Sequence, residues 1–123
     1  MRDFDTLHQR IAQLRKLQIF FVVGASKSGT TWVQQLYDGH PRIICRGEGH
    51  FSDQPLPALA EAIGTYNSKS DAYKSRAEAF GYPADFPSYD GEQLGYLYAS
   101  AIALALDAWA ADTDIDCIGE KTP

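Results

Sequence analysis

The sequence contains little cysteine, and this shortage excludes two classes of small protein. Its 123 residues include two cysteines, Cys45 and Cys117, which lie far apart in the chain. Two cysteines are too few for a disulfide-rich scaffold, and their spacing differs from that of the close pairs that hold structural zinc. We therefore expect two buried free thiols and a reducing compartment, so the predicted location is the cytoplasm.

Positive charge and long apolar runs are scarce as well. Eleven Lys and Arg residues against sixteen Asp and Glu give a net charge of −5, so the sequence offers no general basic surface for nucleic acid or an anionic membrane. Residues 17–25 form a short apolar stretch, and polar residues interrupt the longer one at 93–111. Because a membrane span needs about 20 apolar residues, we expect neither a span nor a secretory signal.

The strongest positive signal lies in residues 19–32. Five apolar residues in series, 19–23, predict a parallel strand that is covered on both faces. A loop of small residues, 24–29, then leads into a helix that begins with Thr30 and Thr31. The free backbone N–H groups and the positive dipole end of such a helix attract phosphate. The pattern therefore predicts a phosphate-binding loop.

The position of the lysine separates this loop from an ATP- or GTP-binding loop, which reads G-x-x-x-x-G-K-[ST]. Gly24 and Gly29 keep that glycine spacing, but Thr30 follows the second glycine, and Lys27 lies inside the loop. Asp116 is a poor candidate for the metal-binding aspartate of such proteins. The pattern favours a nucleotide handled without metal, with Lys27 stabilising a leaving phosphate. A metal-dependent kinase or NTPase with a variant loop, or a degenerate non-catalytic nucleotide-binding module, remains the alternative.

The segment S-K-S-G-T-T-W at 26–32 resembles the 5′-phosphosulfate loop of sulfotransferases that use 3′-phosphoadenosine 5′-phosphosulfate (PAPS). The resemblance implies an α/β fold with a P-loop-type parallel sheet and flanking helices. It also implies transfer of a sulfuryl group from PAPS to a hydroxyl or amine, without metal. In that family the lysine contacts the oxygen that bridges phosphate and sulfate, and the tryptophan can stack on adenine. The implied donor-binding residues are Ser26, Lys27, Ser28, Gly29, Thr30, Thr31 and Trp32.

A second candidate segment follows a short predicted strand at 43–45. Glu48 lies between glycines directly after this strand, where an open α/β sheet presents reactive groups, and a partly desolvated carboxylate can take a proton from the acceptor. Protein-tyrosine and heparan sulfate sulfotransferases have His-Pro after the loop helix, then a strand, then a catalytic glutamate. His40-Pro41 and Glu48 occupy similar places. The resemblance therefore implies Glu48 as the general base, with His50 as the alternative.

A third segment, G-E-K-T-P at 119–123, follows a predicted strand at 115–118. It is similar to a segment of glycan-type sulfotransferases whose lysine approaches the transfer site, which implies that Lys121 helps to hold the sulfuryl group or the acceptor. Glu120 is expected to pair with Lys121 and orient it. The family residues that bind the 3′-phosphate would lie beyond Pro123. We therefore expect residues 1–123 to be the N-terminal part of one incomplete sulfotransferase domain, inactive and marginally folded alone.

The remaining segments carry less information. Helical spacing predicts a leading helix at 3–16 and a buried core helix at 93–111. Between residues 52 and 93 we expect loops around two short helices, 58–63 and 72–80. Aromatic residues of this region either line an acceptor pocket or pack locally: Tyr66, Tyr73, Tyr82, Phe86 and Tyr89. The acceptor class stays open among glycan, tyrosine and small-molecule hydroxyl, and the sequence does not indicate the oligomeric state.

Overall fold

The computed structural model describes residues 3–111 and 113–122, which form an α/β fold with three parallel strands and four helices. Residues up to 50 and from 100 onward belong to one compact unit, and residues 51–99 belong to a second. The elements in chain order are α1 Phe4–Leu14, β1 Gln18–Val23, α2 Thr30–Asp38, β2 Ile43–Gly47, α3 Pro55–Ala79, α4 Gly91–Ala110 and β3 Cys117–Thr122.

The last strand in sequence lies in the middle of the sheet, whose order is β1-β3-β2. Phe20 of β1 and Cys45 of β2 both face Gly119 of β3 across the parallel ladders. A Cβ atom at Gly119 would lie 2.3 Å from the Phe20 ring, and that ring packs on Tyr37 of α2 at a centroid distance of 5.0 Å. Glycine at position 119 therefore lets the aromatic ring lie flat over the central strand.

The sequence prediction for β1 was only partly right. Ile19, Phe20 and Val22 are half-buried, but Phe21 is exposed and Val23 is 73% exposed, so the strand is not covered on both faces. The physical reason is that α2 packs on the face of β1 that carries Phe20, whose ring contacts Tyr37, whereas Phe21 and Val23 lie on the opposite face.

The opposite edge strand, β2, is covered by the helix that precedes it. Gln34 of α2 donates a hydrogen bond to the carbonyl oxygen of Cys45 at 2.8 Å, and Asp38 accepts one from the Cys45 N–H at 3.0 Å. These side chains occupy backbone groups that β3 does not use, so α2 fixes the position of β2 and of the segment after it. Cys45 is fully buried, and burial raises the pKa of its thiol to about 11.

Two boundary predictions are corrected at the ends of the first unit. Helix α1 covers Phe4–Leu14 rather than 3–16, because Asp3 is its N-cap and accepts a hydrogen bond from the Thr6 N–H at 2.7 Å. Strand β3 covers Cys117–Thr122 rather than 115–118. Residues 119–122 of the third motif are therefore part of the central strand and not of a loop after it, while Pro123 lies outside the described residues.

The expectation of two short helices between residues 52 and 93 was wrong, because α3 is one helix of 25 residues. Its prolines, Pro55 and Pro57, lie in the first turn, where the missing N–H groups have no helical partner in any case. The polar tract that suggested a loop lies within this helix, and the Asn67 amide in it hydrogen-bonds both backbone groups of Tyr89, at 2.8 Å each. Tyr66 also packs on Tyr89, with ring centroids 5.7 Å apart.

The prediction of a buried core helix at 93–111 holds only for one face of the second half of α4. Asp90 and Gln93 exchange backbone-to-side-chain hydrogen bonds at its start, in the manner of a capping box. Ala103, Leu106 and Asp107 are buried, while Tyr96 and Leu104 are exposed. Arg10 of α1 binds Asp107 through two contacts of 3.1 and 3.0 Å. Among the described helices none is long and apolar enough to cross a membrane.

Candidate functional site

The phosphate-loop candidate turns sharply between β1 and α2. Ser28 donates its backbone N–H to the Ala25 carbonyl at 3.1 Å, and Gly29 and Lys27 both have left-handed backbone, with φ of 89° and 61°. Gly29 is the N-cap of α2 and, within the described part of the chain, no side chain caps this helix start. The free N–H groups of the first turn therefore stay available for an anion.

Each of the two loops of this site contains a non-glycine residue with left-handed backbone. Among residues 3–111 and 113–122, Lys27 and His50 are the two non-glycine residues with positive φ. Such backbone costs about 1–3 kcal/mol and tends to occur at functional sites. One of these residues follows β1 in the chain and the other follows β2, and both loops leave the carboxyl ends of parallel strands, which share one edge of the sheet.

One cavity of about 550 Å³ collects residues from all three sequence motifs. Glu48 of the second motif and Lys121 of the third line this cavity. The lining residues from the first motif are Ser26, Lys27, Gly29, Thr30, Thr31 and Trp32. Cavities of similar size occur elsewhere in the same unit, so the residues rather than the volume single out this one. Trp32 is 66% exposed, which leaves its ring accessible.

The structure adds one lining residue to this cavity, and two predicted residues, Ser28 and His50, do not line it. Gln35 lines the cavity and was not predicted, although it lies one helical turn after Thr31 and therefore on the same face of α2. Ser28 does not line this cavity but contributes to a neighbouring one with Val23 and Thr30. His50 is not among the lining residues either, and it reaches the site through its contact with Glu48.

Glu48 is held between two basic side chains. The Lys121 ammonium group donates a hydrogen bond to Glu48 Oε1 at 2.8 Å, and His50 Nε2 lies 3.1 Å from Glu48 Oε2. The hydrogen bond from Lys121 is the main reason that the pKa of Glu48 is lowered, and the one from His50 is the second. Glu48 is therefore ionised at neutral pH, with Lys121 as a nearly buried partner whose side chain is 8% exposed.

The expectation that Glu120 pairs with Lys121 was wrong. Glu120 Oε1 accepts the Gly49 N–H at 2.6 Å and a short hydrogen bond from the Thr122 hydroxyl, and Lys121 binds Glu48 instead. The reason is the alternation of a strand, because successive side chains of β3 point to opposite faces. This alternation was readable from the sequence once residues 119–122 were assigned to the strand.

The aspartate considered for a metal-dependent nucleotide site does not lie near the candidate phosphate loop. Asp116, the weak candidate for a metal-binding aspartate, precedes the amino end of β3 and binds Arg42 through contacts of 2.6 and 2.7 Å. It lies at the end of the strand opposite to Lys121 and the phosphate loop. Within residues 3–111 and 113–122, no group of three His, Cys, Asp or Glu side chains is arranged to hold a metal ion.

Comparison with known proteins agrees with the geometry of this site. A model of the sulfotransferase family matches residues 19–123, a range that begins in β1 and contains the phosphate loop, Glu48 and Lys121. No curated protein matches the sequence. Because the family model covers most of the chain, the assignment of the chain to this family does not depend on one short motif. The chain belongs to the sulfotransferase family.

Proposed function

We propose that the protein transfers a sulfuryl group from PAPS to a hydroxyl or amine of a small molecule, a glycan or a tyrosine. The observation that carries this proposal is the convergence of Lys27, Glu48 and Lys121 on one cavity beside the uncapped start of α2. These residues come from three separate segments, and each has a chemical role that sulfuryl transfer requires. Membership of the sulfotransferase family supports the reaction class.

The residues around the cavity fit the donor PAPS. The first-turn N–H groups of α2, with the hydroxyls of Ser26, Thr30 and Thr31, supply donors for a 5′-phosphate. Trp32 presents an exposed ring at the same cavity, which suits stacking on adenine. The chain as a whole has a net charge of −5 and does not attract an anion. An anionic donor is therefore attracted by Lys27 and the start of α2 rather than by the whole surface.

In the proposed reaction the acceptor oxygen or nitrogen forms a bond to sulfur while the bond from sulfur to the bridging phosphate oxygen breaks. The leaving phosphate keeps the electron pair of that bond, and Lys27 stabilises the charge that develops on it. Glu48 accepts the proton of the acceptor, and Lys121 stabilises the sulfuryl oxygens. Since Lys121 lowers the pKa of Glu48, a shift of its ammonium group toward the sulfuryl group makes Glu48 a stronger base.

The cavity lining supports Glu48 as the base and His50 as its neighbour, because Glu48 lines the cavity and His50 does not. His50 Nε2 lies 3.1 Å from Glu48 Oε2, a distance at which the imidazole orients the carboxylate. Under this assignment Glu48→Gln lowers the transfer rate far more than His50→Asn does. The reverse order would make His50 the base.

Calorimetric titration with 3′-phosphoadenosine 5′-phosphate tests the donor. We expect binding without Mg²⁺, and a loss of about 10–100-fold in affinity for Lys27→Ala, since a hydrogen bond to a charged group contributes about 1.5–3 kcal/mol. Lys16→Ala removes the same charge from an exposed position that does not line the cavity, and it should bind like the unmodified protein. Preference for Mg²⁺-ATP in a folded sample would reject the proposal and favour a kinase.

A further inference from the structure

The segment after β2 is fastened to the end of β3 by its backbone as well as by Glu48. We call residues 48–50 the Glu48 loop. The Gly49 N–H donates to Glu120 Oε1 at 2.6 Å, and the His50 N–H donates to Thr122 Oγ1 at 3.2 Å. The Thr122 hydroxyl in turn donates to the same oxygen of Glu120. Two consecutive amides of the loop are therefore held by two side chains of one strand.

The burial of these side chains makes the arrangement more than a surface contact. Glu120 is 2% exposed and Thr122 is 8% exposed. A buried carboxylate needs hydrogen-bond partners, and a buried hydrogen bond to a charged acceptor is stronger than a neutral one. Glu120 finds such partners in the Gly49 amide and the Thr122 hydroxyl. The side chains of Glu120 and Thr122 therefore hold the loop backbone, and the Gly49 amide in turn stabilises the buried Glu120 carboxylate.

The loop is attached to β3 on both faces of the strand. Glu120 and Thr122 share one face because they are two residues apart, and Lys121 points to the other face, where it binds Glu48. The glycines on either side of Glu48 give the loop little stiffness of its own. At Gly47 a Cβ atom would lie 2.5 Å from the Lys121 carbonyl oxygen, so close packing against β3 requires a glycine there.

We propose that Glu120 and Thr122 are positioning residues, which hold the backbone of the Glu48 loop so that the Glu48 carboxylate stays between Lys121 and His50. Their importance for catalysis rests on the proposed function of Glu48, but the positioning itself does not. Neither residue touches the reacting atoms in this scheme. Loss of the Thr122 hydroxyl frees the His50 amide and removes one of the partners of Glu120, and the Lys121–Glu48 contact loosens as a consequence.

A matched pair of variants at position 122 tests this inference. Thr122→Val keeps the shape of the side chain and removes the hydroxyl, while Thr122→Ser keeps the hydroxyl. The pKa of the Glu48 carboxyl group is measured by carbon-13 NMR titration of the folded protein, with the signal assigned through Glu48→Gln. We expect a lowered pKa in the unmodified protein and in Thr122→Ser. In Thr122→Val the pKa should rise toward the ordinary value of about 4.3.

Turnover supplies the second measurement. Because residues 1–123 are expected to be inactive alone, turnover is measured in a protein that contains the rest of the domain. With PAPS and an acceptor, Thr122→Val should lower kcat about 10-fold or more while KM for PAPS changes less than about twofold, because the phosphate loop is not altered. Thr122→Ser should restore kcat. A loss of stability alone would not move the pKa of Glu48 in the folded protein. It would lower the folded fraction and with it the apparent kcat, so kcat is calculated per folded molecule, with the folded fraction measured by circular dichroism.

An unchanged pKa of Glu48 in folded Thr122→Val overturns the inference. If Thr122→Val does not fold, Glu120→Gln replaces it, and the readouts are the pKa of Glu48 and the proton shift of the Gly49 amide. Both the pKa of Glu48 and the Gly49 amide shift should change. If either of them stays unchanged, the inference is overturned. A raised pKa of Glu48 in Thr122→Val supports positioning even if Glu48→Gln transfers sulfate normally. That combination would instead refute the catalytic role of Glu48.

Discussion

Replacement of Gly119 by alanine is expected to destabilise the sheet at its centre. The new Cβ atom would lie 2.3, 2.4 and 2.8 Å from three atoms of the Phe20 ring, whereas carbon atoms in contact are normally about 3.5–4.0 Å apart. The ring would have to move by about 1 Å, and Tyr37 packs against it at 5.0 Å between ring centroids. Backbone strain is not the cause, because Gly119 does not have a positive φ.

The expected size of this effect follows from two opposing contributions. Overpacking in a core costs about 1–3 kcal/mol, and three close contacts with a confined ring indicate the upper end of that range. Alanine also lowers the entropy of the unfolded chain, which offsets about 0.4–1 kcal/mol. The net loss is about 2 kcal/mol in the free energy of unfolding, which corresponds to a fall in Tm of about 10 °C for a domain of this size.

Thermal unfolding followed by circular dichroism measures the change in Tm. Two further variants test whether the contact with the Phe20 ring causes that change. Phe20→Leu shortens the opposing side chain, so Phe20→Leu combined with Gly119→Ala should recover much of the loss, as a double-mutant cycle reveals for residues in contact. Gly64→Ala is the control, since a Cβ at that helical position meets no atom within 4 Å. A Tm for Gly119→Ala within about 2 °C of the unmodified protein would refute the reasoning.

Three further predictions concern the site and the first unit. In a protein that contains the rest of the domain, Glu48→Gln should lower kcat about 10²–10⁴-fold with little change in affinity for 3′-phosphoadenosine 5′-phosphate. Equal losses in both quantities would point to a binding role. Because the pKa of Glu48 is lowered, activity should persist at acidic pH and fall as the pH drops through that pKa. Lys121→Met removes the main contact that lowers the pKa of Glu48, so the acid limb of the pH profile of kcat/KM should move to higher pH. An acid limb at the same pH as in the unmodified protein would contradict this prediction. Arg10→Met removes the ion pair with the nearly buried Asp107. It should lower the free energy of unfolding in urea by less than about 3–5 kcal/mol, the cost of breaking a fully buried pair, because Arg10 is partly exposed, and Arg10→Met with Asp107→Leu should recover most of the loss.

The strand, loop and helix of the candidate phosphate loop could be predicted from the sequence because their signal is local. Strand, small-residue loop and helix start lie within residues 19–32, and the structure has them in that order. The family assignment is confirmed, as is the parallel α/β sheet. The roles of Lys27, Glu48, His50 and Lys121 stay predictions, and so does the expectation that residues 1–123 are part of a larger domain.

The errors arose where tertiary contacts outweigh local patterns. Proline, asparagine and serine between residues 52 and 93 suggested loops, but the prolines fall in the first turn of α3, and Asn67 bonds a backbone 22 residues away. The five apolar residues of β1 suggested burial on both faces, yet Phe21 and Val23 on one of its faces are exposed. Neither the strand order nor a side-chain contact of this range can be derived from a single sequence.

The contact of Glu120 with the Gly49 amide was missed for the same reason, since 71 residues separate the two. The strand order explains why this contact matters. β1 carries the phosphate loop and β2 carries Glu48, but each of them pairs with β3 and not with the other. The three segments of the site therefore meet only when β3 lies between the other two strands. A ligand that contacts Lys27, Glu48 and Lys121 together binds the assembled sheet and not the unfolded chain, so donor binding and sheet formation stabilise one another.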